Sequence, residues 1–97
     1  MTEIDVRCAP ASEGWRCTVT LATGSGRARH EVTIATDDAV RLAAARGQAD
    51  VERLVEETMA FLLEREPASA IMRSFDLAVV SRYFPEFEAE MTQRLAP

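Results

Sequence analysis

Cys8, Cys17 and His30 are the residues whose types come nearest to a metal site or a nucleophilic pair. Structural zinc sites bring cysteines two to four residues apart and use four soft ligands. Here the cysteines are separated by eight residues and no fourth soft ligand exists, so the spacing argues against zinc. A Cys17–His30 catalytic pair is thinkable across adjacent strands. Both cysteines, however, sit on the apolar parity of their segments, where a thiol without nearby positive charge is inert. They read instead as small core hydrophobes, expected as free, buried thiols.

Three other groupings invite a chemical reading. Glu64, Arg65 and Glu66, with Asp76 and Arg82, hold enough carboxylates for acid–base work, but such charges at helix ends more simply form ion pairs that fix helix angles. Gly24-Ser25-Gly26 lacks the lysine and the strand-to-helix context of a phosphate loop and reads as a turn between strands. Arg27, Arg29 and His30 just beyond it, with Arg16 across the hairpin, form a candidate basic patch for nucleic acid or an acidic partner. No catalytic, cofactor-binding or metal constellation emerges, and the chain reads as a non-enzymatic protein without a cofactor.

The densest aromatic grouping is Tyr83-Phe84-Pro85-Glu86-Phe87. With Met91 and Leu95 at helical spacing it either locks the last helix onto the domain or forms a partner surface comprising Tyr83, Phe84, Phe87, Met91 and Leu95. The surrounding run, Phe61-Leu62-Leu63-Glu64-Arg65-Glu66-Pro67, then Phe75-Asp76-Leu77 and Arg82-Tyr83-Phe84-Pro85-Glu86-Phe87-Glu88, resembles the C-terminal stretch of a family of small uncharacterised bacterial and archaeal proteins. The resemblance covers roughly the last third of the chain, while the hairpin agrees only in general pattern. That family has no established activity, so the resemblance implies no catalytic or binding residue.

The elements that must position these residues follow from periodicity. Trp15, Cys17, Val19 and Leu21 alternate with polar residues, as do Val32 and Ile34 after the glycine-containing connection, which predicts an antiparallel hairpin. Ile4, Val6 and Cys8 repeat the pattern and add a third, less certain strand. Thr36-Asp37-Asp38 suits a helix start, with Val40, Leu42 and Ala43 as its apolar side and Gly47 as its stop. From about Asp50, the residues Val51, Leu54, Val55, Thr58, Met59 and Leu62 form one stripe, the main cover for the sheet. Pro67 breaks that helix and is placed to start another bearing Ile71, Met72 and Phe75; Asp76 caps the next, and a last helix follows Pro85. No strand pattern reappears after residue 35. The expected fold is α+β: an antiparallel two- or three-stranded meander over about residues 3–35, followed by three or four helices over about 37–95 packed on one face, within one domain.

Composition narrows function further. The 97 residues are 47% hydrophobic and 28% charged, which suits a globular domain. Net charge is −5, with four arginines and four acids in residues 1–34 against seven arginines and twelve acids in residues 35–97. An acidic helical half repels phosphate backbones and disfavours general nucleic-acid binding. All eleven lysine or arginine positions are arginine, a chain-wide bias that a GC-rich genome explains. The absence of a long apolar run or a signal-like start points to the cytoplasm and away from membranes. The expected function is an interaction module that self-associates or binds a protein partner, with a nucleic-acid-linked regulator using the arginine-bearing hairpin as the alternative.

Overall fold

The computed structural model describes residues 2–96. Alternation of apolar and polar residues carries three long strands: β1 (Glu3–Ala11), β2 (Gly14–Thr23) and β3 (Gly26–Ala35). Two-residue loops join them, Ser12-Glu13 and Gly24-Ser25, so the strands run further into the glycine-containing connections than the alternation alone indicates. The register pairs Ile4 with Leu21, Val6 with Val19 and Cys8 with Cys17, then Val19 with His30 and Cys17 with Val32. The three-stranded meander is therefore complete, and its apolar parity faces inward.

A fourth strand corrects the expectation that no strand follows residue 35. β4 (Ser74–Asp76) joins β3 in parallel, giving the sheet order β1-β2-β3-β4. Three residues are too few to show alternation, and Phe75 alone turns inward. The Glu31 amide donates to the Arg73 carbonyl at 2.7 Å and the Leu77 amide to the Thr33 carbonyl at 2.9 Å, fastening both ends.

Helices cover one face. α1 (Thr36–Ala43) turns Ala39 and Leu42 inward, leaving Val40 54% exposed. Leu42 and Ala43 face the core as expected, and Ala39 takes the inward place expected of Val40. Ala44 takes a left-handed conformation, φ 49°, and ends the helix before Gly47. α2 (Gln48–Arg65) buries Val51, Leu54, Val55, Thr58, Met59 and Leu62, the stripe expected from spacing, together with Phe61. Leu54 and Leu62 share one core with Val19 and Leu21.

Pro67 ends α2 as expected but does not begin an α-helix. Ala68–Ala70 form a single 3-10 turn, after which the chain is extended into β4. Ile71, Met72 and Phe75 are thus not one helical face: Ile71 and Phe75 are buried and Met72 is 46% exposed. Asp76 then accepts the Ala78 amide at 3.0 Å, supporting the start of α3 (Ala78–Tyr83). Glu86 precedes α4 (Phe87–Arg94), whose first turn carries Glu88 and Glu90, favourable at the positive helix end.

Candidate functional site

Cys8 and Cys17 are directly opposed in the β1–β2 register and are joined by a disulfide, which corrects the expectation of free thiols. The Cys8 amide points out of the sheet and donates to Glu52 Oε2 on α2 at 2.8 Å. Residues whose amides point away from each other form the closer of the two antiparallel pair types, the one in which a cross-strand bridge fits. Bridged sulfurs cannot act as thiolate nucleophiles or metal ligands. Among the described residues, no group of three or more histidine, cysteine, aspartate or glutamate side chains is placed to hold a metal ion.

His30 leaves the expected basic patch. It shares the inward parity of Val32 and Ile34 and is only 4% exposed. Its Nδ1 lies 2.8 Å from the Met72 carbonyl, an acceptor, so Nδ1 carries the proton. Nε2 is buried without a hydrogen-bond partner among the described residues. The bond holds the 71–73 connection against β3 and so positions what surrounds Met72. Arg16 is also engaged, its Nε 3.0 Å from Glu31 Oε1. Arg27 and Arg29 remain exposed on the open face of the sheet.

Of the expected partner surface, Phe87 and Met91 belong to the core, both 0% exposed. The Phe61 ring meets Phe84 edge-on at 5.7 Å and Phe87 at 5.2 Å, while Thr58 Oγ1 lies 4.0 Å from Met91 Sδ. These contacts fix α4 on α2. Leu95 and Phe84 are partly buried against the same core. Charges reinforce the joint: Arg94 bonds Glu64 at 2.6 and 2.8 Å, Arg65 reaches Glu86 at 3.2 Å, and the Arg65 guanidinium lies 3.5 Å above the Phe61 ring. Glu64 and Arg65 thus bind α4, whereas Asp76 serves Thr33 and Ala78, so the expected cluster with Asp76 does not assemble. Arg94 holds the Glu64 carboxyl below the usual carboxylate range, and a bond to its own backbone, aided by Arg65, does the same for Glu86.

Tyr83 alone of that surface is open, at 69% exposure. With Met72 it flanks a groove of about 250 Å³ whose floor and walls include Leu62, Ile71, Val80 and Phe84. Among the described residues, Glu66 is the only charged one in the lining. The groove lies beside β4, the sheet edge. Arg73 and Leu77 spend their main-chain groups on β3, so the alternate residues Ser74 and Asp76 direct theirs outward. Of the expected surface, Tyr83 and Phe84 line this groove between α3 and the segment before β4, whereas Phe87 and Met91 lie in the core.

The uncovered face of the sheet is polar. Register sets its residues in rows across β1, β2 and β3: Glu3–Ala22–Arg27, Asp5–Thr20–Arg29, Arg7–Thr18–Glu31 and Ala9–Arg16–Thr33. Comparison with known proteins returns no matching family model, no matching curated protein and no matching solved structure.

Proposed function

We propose that the protein is a non-enzymatic interaction module that receives an extended segment of a protein partner along β4, with a large apolar side chain of that segment seated in the adjacent groove. The observation that carries this reading is the coincidence of an open strand edge with a groove flanked by exposed Met72 and Tyr83. Strand addition obtains affinity from main-chain hydrogen bonds and specificity from a pocket beside the edge. About 250 Å³ suits one or two side chains, below the usual range for a drug-sized ligand. His30 and the β3–β4 bonds hold the rim in place before binding, which lowers the ordering cost.

The test pairs wild type with a Met72→Asp, Tyr83→Asp double variant in affinity isolation from the native cells, followed by titration of the purified partner. Binding at least about ten-fold weaker in the variant supports the reading, since buried unpaired carboxylates cost more than the lost contacts. Equal affinity of both proteins for that partner overturns it. The nucleic-acid alternative draws on less: Arg27 and Arg29 share their face with Glu3, Asp5 and Glu31.

A further inference from the structure

The polar sheet face has an ordering that its individual charges do not reveal. Along β1 the outward residues are Glu3, Asp5 and Arg7; in the same rows β3 carries Arg27, Arg29 and Glu31. Each acid of β1 has an arginine on β3, and the single arginine of β1 has a glutamate. Between them β2 presents Ala22, Thr20 and Thr18, which are short and uncharged. Across these three strands the charges are inverted about β2, while β4 extends the face beyond β3 with Ser74 and Asp76.

We propose that this face docks a second copy of the chain, through a two-fold axis running along β2. Such an axis lays β1 of one protomer over β3 of its partner without shifting the rows. Glu3 then meets Arg27, Asp5 meets Arg29 and Arg7 meets Glu31, and each pair occurs twice because a two-fold interface is isologous. Sheets stacked face to face lie about 10 Å apart, a gap that an arginine and a carboxylate side chain bridge together. The low Ala–Thr stripe lets the centres approach. Arg16 lies close to the axis near its own copy, and its bond to Glu31 at 3.0 Å offsets that like charge.

Charge also selects this face over the others. The chain is acidic as a whole, and its acids concentrate in residues 35–97. Two copies approaching through their helices repel one another, whereas the open sheet face is balanced, with Arg7, Arg16, Arg27 and Arg29 against Glu3, Asp5, Glu31 and Asp76. A second copy is the partner for which the match follows directly from register; an anionic polymer meets an acid in each of the rows that carry Arg7, Arg27 and Arg29.

Sedimentation equilibrium tests the docking. Wild type is expected to dimerise at low ionic strength and to dissociate at about 0.5 M salt, where screening extends only a few ångströms. Arg29→Glu and Asp5→Arg, each alone, are expected to weaken the dimer at least about ten-fold, because each places like charges together twice. The combined variant regenerates both pairs with inverted polarity and is expected to return to within about three-fold of wild type. Glu3→Arg with Arg27→Glu gives a second, independent swap. A wild-type monomer at low salt, a dimer indifferent to Arg29→Glu, or a combined variant weaker than either single one overturns the proposal. The Met72→Asp, Tyr83→Asp variant is expected to keep the dimer; its loss would assign self-association to the groove and also overturn it.

Discussion

At the first residue of β2 the backbone of β3 comes so close that a side chain has no room. A Cβ on Gly14 would stand 1.9 Å from the Ile34 carbonyl oxygen, which belongs to the main chain and cannot swing aside. Gly14→Ala is therefore expected to cost about 2–4 kcal/mol by forcing the strands apart, read as a fall in Tm of at least about 10 °C. An unchanged Tm would contradict the close approach. At Gly24 the same added atom meets nothing within 4 Å, so Gly24→Ala is the natural control. His30 shows how far single residues were legible. Its parity with Val32 and Ile34 was visible in the sequence and implied burial; grouping it with Arg27 and Arg29 by charge type ignored that parity.

Elements of sufficient length were readable, and short ones were not. The stripe of α2 and the alternation of β1, β2 and β3 each extend over several periods, so their buried faces follow directly from the sequence. β4 and the 3-10 turn have three residues each and depend on tertiary partners, Arg73 and Leu77 against β3, that sequence does not display. The disulfide was legible in principle. Cys8 and Cys17 are equidistant from the Ser12-Glu13 loop and share the inward parity, which puts them opposite one another. The assumption of a reducing cytoplasm overrode that geometry, and structural disulfides persist where thiols are oxidised. The bridge spans nine positions of sequence, and closing so short a loop in the unfolded chain is worth about 2–3 kcal/mol. Reduction, or Cys8→Ser with Cys17→Ser, is expected to lower stability to urea by that amount. A denaturation midpoint indifferent to reductant would refute the linkage.

Across the whole molecule, the joint between α2 and α4 depends on carboxylates kept ionised. Glu64 and Glu86 both titrate below their usual range in the folded protein. A lowered folded pKa stabilises the fold above the unfolded value, near about 4.3 for glutamate, and that contribution disappears as pH falls through the folded value. Tm is therefore expected to hold from about pH 7 to about pH 5 and to drop towards about pH 3. Glu64→Gln should flatten part of that drop, and a variant with the wild-type acid profile would count against the Arg94 contact. Because Glu64 is largely exposed, salt should reduce the effect.

The two margins of the sheet are not equivalent. On β1 the Cys8 amide is already occupied by Glu52, and Pro10, which shares its outward direction, has no amide to offer. A ribbon that lengthens by successive strands needs a receptive border at both ends, and two of the outward positions of β1 are closed. Of the two margins, β4 is therefore the better suited to the strand addition proposed above, and stacking of one copy's β1 on another's β4 is disfavoured.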